Sequence, residues 1–94
     1  GTFGPSVIID RQTMAVMMHR TTDALGIELN EDWSVMMDYN DLDQVSDWAI
    51  DGIAYCTMTG LMRGDHDGDF APNRMLTRAE GAAVLVRLAE YVNR

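Results

Sequence analysis

Apolar residues recur at three- and four-residue spacing in three stretches of this 94-residue chain. The first holds Met14, Met17, Met18 and Leu25. It follows Asp10, whose carboxylate can accept the free amides of a helix start, and ends at Gly26, a natural stop. The second places Trp48, Ala49, Ile53 and Cys56 on one buried stripe, with Ser46 as its cap, a run to about Thr59 and Gly60 as its end. The third carries Val84, Leu85, Leu88, Ala89 and Val92 to about residue 92. It opens on Thr77-Arg78-Ala79-Glu80, a capping box in which Thr77 caps and Glu80 reaches back to the cap amide. Between the first two stretches, Ile27 to Asp43 mixes Leu29, Trp33, Val35, Met36 and Met37 with Asn and Asp. That segment has no sustained period, so it reads as a connector holding one short helical turn. Leu61-Met62 and Met75-Leu76 are too short for independent strands, but they flank a tight loop, Gly64 to Asp69, and are expected to pair across it. The expected class is mainly α: three helices with very short strands.

The pattern also repeats. Gly1-Thr2-Phe3-Gly4-Pro5, then Arg11, Ala15 and Arg20, aligns without a gap on Gly68-Asp69-Phe70-Ala71-Pro72, then Arg78, Ala82 and Arg87, at a constant offset of 67. A turn, a few extended residues and an apolar helix recurring together mark a unit that hides its apolar face by stacking on a neighbour.

Charge changes the picture more than overall composition does. With 47% apolar and 23% charged residues the chain can build a packed core, and no apolar run approaches the length that spans a bilayer. The net charge is −8, and every one of the seven basic residues is Arg. An acidic body disfavours nucleic acid, whose binding rests on neutralising phosphates with a basic face. Arg without Lys suits two-pronged recognition of carboxylates. The one cysteine, Cys56, cannot form an internal disulfide.

Most reactive side chains read as structural. Asp65, Asp67 and Asp69 alternate like a calcium loop, but the sixth position, which requires Gly, is Phe70, and no Glu closes the shell; a solvated Asp-Gly turn is the better reading. His19 and His66 lack partners at metal-ligand spacing, and Cys56 sits in an apolar stripe as a small hydrophobe. The eight methionines read as core filler or as surface facing a neighbouring unit. No nucleophile, base and orienting group assemble, so the chain is expected to be a non-enzyme with no cofactor and no metal.

The ordered set Tyr39-x-Asp41, Ser46-x-Trp48-Ala49, Ile53, Gly60-Leu61, Gly64, Asp67-Gly68-x-Phe70-x-Pro72 and Leu76-Thr77-Arg78-Ala79-Glu80 resembles the S-layer homology repeat. Residues 1–26 then look like the second half of a preceding repeat, 27–38 a connector, and 39–94 one complete repeat. The resemblance implies helix-loop-helix repeats that assemble in threes, and non-covalent anchoring at the bacterial cell surface or cell wall. The implied partner is a secondary cell-wall polysaccharide, often pyruvylated, bound in grooves between repeats.

Within that family the Arg of the Thr-Arg-Ala-Glu motif is a recurring ligand contact, here Arg78. Its guanidinium matches a carboxylate, and the duller alternative is a local pair with Glu80 or Asp69. Arg11 is its equivalent in the first half-repeat, where Ile9-Asp10-Arg11-Gln12-Thr13 keeps the Arg and loses the capping Glu; Arg63 lies near the loop, and both read as solvated surface residues, with a place in a neighbouring groove as the alternative. Trp48 is expected in the core, with an exposed edge as the alternative that would floor a sugar ring. Asp67 and Gly68 complete the candidate ligand contacts. The competing expectation is a repeat that has lost glycan binding and serves protein–protein assembly, by self-association or by packing on further repeats.

Overall fold

The chain enters its first helix extended at Asp10, whose Oδ1 accepts the Thr13 amide at 2.9 Å, so this cap forms as the sequence predicts. In the computed structural model, residues 9–27, 38–65 and 67–93 are described. The first Gly-x-Phe-x-Pro turn, most of the connector and His66 lie outside these residues. Helix α1 spans Arg11–Ala24, α2 spans Ile50–Thr59 and α3 spans Arg78–Val92. Short 3-10 turns occupy Leu42–Gln44 and Asp47–Ala49, while the connector in which one turn was expected lies mostly outside the described residues. The architecture is mainly α.

The core lies between α1 and α2 and is closed below by Phe70, Leu61, Met62, Leu76 and Val84. Close approach of the two helices requires Gly52. A Cβ there would stand 2.9 Å from Val16 Cα and 3.1 Å from the Ala15 carbonyl oxygen, both backbone atoms that cannot swing aside. The α1 stripe differs from the expected one: Met14 and Met18 are buried, but Met17 is 51% exposed and Leu25 lies on the surface. The face that meets α2 follows Ala15, Met18 and Thr22, and Met17 falls off it.

Two further expectations are corrected around α2. Ser46 makes no capping bond with its side chain. Its hydroxyl accepts from Gln12 Nε2 at 3.2 Å and its amide donates to Gln12 Oε1 at 3.0 Å, so Ser46 ties the start of α2 to α1. Trp48 is 57% exposed rather than in the core. It sits in the 3-10 turn, whose tighter winding takes it off the stripe that Ala49, Ile53 and Cys56 bury. Gly60 ends α2 in the left-handed region at φ 79°, as expected of a glycine stop.

Leu61-Met62 does not pair with Met75-Leu76. The one bridge among the described residues joins Met75 to Asp10, flanked by Leu76 N–H donating to Ile9 O at 2.9 Å and Arg11 N–H to Arg74 O at 3.0 Å. Residues 74–76 are held by the chain entering α1, while Leu61 and Met62 turn into the core. Gln12 N–H also donates to Pro72 O, so the first amides of α1 are satisfied by the loop of the following segment.

That loop is an Asp-Gly turn. Asp65 Oδ1 accepts the Asp67 and Asp69 amides at 3.0 and 3.1 Å, and Gly68 takes φ 87°. Its exit is fixed from below by the buried Asp41, whose two carboxylate oxygens accept the Phe70 and Ala71 amides at 2.9 and 2.8 Å. The pair holds Ala71 at φ 58°, which a non-glycine residue adopts only under such constraint. Thr77 and Glu80 then form the full capping box of α3. Helix α3 leans lightly on the body: only Val84 is buried, with Leu88 and Tyr91 partly covered and Tyr91 Oη 3.0 Å from Tyr55 Oη.

Candidate binding cleft

Arg11 sits at the first position of α1, and the bridge with Met75 aims its side chain under the loop. Its Nε donates to Phe70 O at 2.7 Å, a terminal nitrogen donates to Arg63 O, and the guanidinium carbon lies 4.8 Å from the Phe70 ring centroid. Burial first, and the Arg74 cation next, pull its proton affinity below the ordinary guanidinium value. Arg11 therefore welds the two segments together and leaves a cation at their seam.

Two depressions share that seam. One of about 280 Å³ runs from Arg11, Arg63 and Gly64 to Glu80 and Arg87 of α3. The other, about 180 Å³, runs from the same three residues to Asp65 and Arg74. The wall at Gly64 is tight, since a Cβ there would stand 2.5 Å from Tyr39 Cε1 and 2.9 Å from Asp69 O. Arg74 is held by Glu80 through two contacts of 3.2 and 2.7 Å. Those bonds, followed by the Thr77 amide, lower the Glu80 carboxyl to about 2, and the hydrogen bond to Glu80 raises Arg74. Arg63 and Arg87 have no ion-pair partner among the described residues. The cleft therefore holds four guanidiniums, one of them neutralised, and two of them unpaired in a chain of net charge −8.

The other candidates lie elsewhere. Arg78 is exposed at the start of α3, beside a shallow apolar depression of about 270 Å³ that it shares with Ile9, Met14 and Leu85. It forms no pair with Glu80, whose carboxylate is taken by Arg74 and the Thr77 amide. Trp48, Asp67 and Gly68 line neither arginine-bearing depression. Backbone carbonyls of Asp67 and Gly68 accept from Asn40, which pins the turn to residues 38–41. Arg74 and Arg87 escaped the sequence reading because neither lies in a capping or loop motif; the one available signal for Arg87 was its alignment with Arg20 in the repeat.

The loop of the second segment thus grips the start of the first helix, and four guanidiniums gather at the junction. The S-layer homology domain matches residues 38–82. An endoglucanase from Bacillus sp. (strain KSM-635) is 35% identical over 94% of this chain and 9% of its own length. An uncharacterized cell wall amidase from Bacillus anthracis is 33% identical over the whole chain and 16% of its own length. The surface-layer 125 kDa protein of Lysinibacillus sphaericus is 34% identical over 92% of the chain and 7% of its own length. The chain thus spans under a fifth of the length of these curated relatives. No solved structure matches it significantly. The chain belongs to the S-layer homology family, whose members are anchoring modules of the cell wall and cell surface.

Proposed function

We propose that this chain is a non-catalytic anchoring module that holds its parent protein to a secondary cell-wall polysaccharide, bound through carboxylate groups such as pyruvyl ketals in the Arg11–Arg63–Arg87 cleft. The observation that carries this reading is the gathering of four of seven arginines around one seam of an acidic protein, with no ion-pair partner for Arg63 or Arg87 among the described residues. A guanidinium offers a carboxylate two parallel donors, and the walls of the cleft restrict competing water. Arg11 supplies a fixed positive charge and Arg63 and Arg87 the adjustable contacts. Arg78 is the counterpart of Arg11 one repeat further on and serves a cleft of its own there.

Retention on purified wall polysaccharide tests the assignment. Arg63→Ala with Arg87→Ala, both on exposed side chains, is expected to lower retention at least tenfold while leaving the circular dichroism spectrum and unfolding midpoint unchanged. Chemical removal of the polymer's pyruvyl groups should abolish the difference between variant and wild type. Full retention by the double variant, or an equal loss on Arg78→Ala alone, would place the polymer outside this cleft.

A further inference from the structure

The charges of α3 fall on one flank. Apart from Arg78 at its start, the charged residues of the helix are Glu80, Arg87 and Glu90. At about 100° of turn per residue they stand within an arc of about 80°, along about 15 Å of the helix axis. The flank borders two depressions in succession, and Arg87 belongs to both. Towards the start of α3 it lines the cleft with Arg11, Arg63 and Glu80; towards the end it lines a further depression of about 210 Å³ with Gly60, Leu61, Glu90 and Tyr91. On the other side, Arg11, Arg63 and Gly64 join the cleft to the depression at Asp65 and Arg74. The row is longer than one sugar ring with its substituent.

The depression at the end of α3 differs in chemistry from the cleft. Guanidiniums are in excess in the cleft, whereas here Glu90 balances Arg87. Glu90 is exposed and takes part in no hydrogen bond or ion pair among the described residues, so its carboxylate has its full capacity to accept. The fold does not account for it: in the last turn of a helix the exposed carbonyls disfavour an anion. Tyr91 is half-buried with its hydroxyl 3.0 Å from that of Tyr55, which leaves its ring to line the depression. A guanidinium that donates, a carboxylate that accepts and an aromatic ring together suit an uncharged sugar, whose hydroxyls do both and whose C–H face packs on an aromatic. A second acidic sugar would meet repulsion from Glu90.

We propose that the polymer lies along this row over at least two successive sugars, the acidic one against Arg11 and Arg63 and an uncharged neighbour between Arg87, Glu90 and Tyr91, and that Glu90 selects that neighbour. The inference rests on the cleft assignment made under the proposed function and adds to it a second sugar and its specificity. Arg87 stands at the boundary and contacts both.

The experiment measures binding to immobilised wall polysaccharide and release by a competitor, a synthetic methyl glycoside of one pyruvylated hexose. Glu90→Ala keeps the helix and removes an anion from its last turn, so its unfolding midpoint should not fall. Its affinity for the polymer should fall at least about fivefold, as expected for a lost hydrogen bond to a charged acceptor. The competitor concentration that releases half of the protein should fall by the same factor, because the single sugar never reaches Glu90. If Glu90 were only a solvated charge, its removal would tighten binding of an anionic polymer and leave the release concentration unchanged; that result overturns the inference alone, provided Arg63→Ala with Arg87→Ala still loses the polymer. Full retention of that double variant, or no release of wild type by the single sugar, overturns the cleft reading and this inference with it.

Discussion

Two glycines in helices make opposite predictions for one substitution. Replacing glycine by alanine inside a helix stabilises by ~1 kcal/mol through backbone propensity when the new methyl meets nothing. At Gly81 in α3 there is no atom within 4 Å of the added Cβ, so Gly81→Ala should yield that full gain. At Gly52 the same methyl would meet Val16 Cα at 2.9 Å and Val16 N at 3.0 Å. Only separation of α1 from α2 relieves that contact, and forced overpacking costs ~1–3 kcal/mol. At the middle of that range, subtracting the propensity gain leaves Gly52→Ala less stable by about 1 kcal/mol, and the two variants about 2 kcal/mol apart. For a domain of this size each kcal/mol moves the thermal midpoint by about 4–8 °C. Circular dichroism melts therefore separate the variants on opposite sides of wild type. A Gly52→Ala midpoint equal to or above that of wild type would refute the close helix approach from which the rest of the packing follows.

Loss of the carboxylate in Asp41→Ala would leave the Phe70 and Ala71 amides without their acceptor, and should cost about 2–3 kcal/mol in urea unfolding; Asp41→Asn, which keeps one acceptor oxygen, should cost about half as much. Equal losses would show that the two amides are not both held by the carboxylate. Glu80, lowered to about 2 first by Arg74 and then by the Thr77 amide, binds fewer protons folded than unfolded, so its stabilisation is complete above about pH 5 and disappears as pH falls towards 2. Glu80→Gln preserves the capping box, so its unfolding midpoint should fall below wild type at pH 6 and converge on it near pH 2; a gap that does not change with pH would show that the charge is not responsible.

What was legible in the sequence was local. The Asp10 cap, the Thr77–Glu80 box and the Gly60 stop each depend on residues within about one helical turn, and each appears where the spacing puts it. What misled were residues whose partners are distant. Ser46 reads as a cap because it precedes an apolar stripe, yet its hydrogen bonds go to Gln12, 34 positions away. Trp48 fits the α2 stripe only if the helix starts at Ser46 with α geometry; the 3-10 turn before Ile50 changes the angle between residues and leaves the indole in solvent. The Leu61-Met62 and Met75-Leu76 pairing failed for a related reason, because the chain entering α1 competes for the same edge and wins it at Asp10 and Met75. In the cleft, Arg11 was recognised by its repeat position, whereas Arg74 and Arg87 are brought to it by the bridge and by the lean of α3.

One residue type at one repeat position thus meets two environments in one chain. Arg11 has the loop of the following segment beneath it, and that loop takes two of its donors and turns it into part of a cleft wall. Arg78 has nothing of the kind among the described residues, and it borders an apolar depression rather than a charged one. Under the cleft proposal an Arg at this helix position supplies half of a binding site, and the Arg63–Gly64 and Phe70 region packed beneath it supplies the other half. If that proposal holds, the number of competent clefts is set by the number of such junctions and not by the number of arginine motifs. Adding one repeat should then create a second polysaccharide site in which Arg78 plays the part that Arg11 plays here, and the first site should be left as it was.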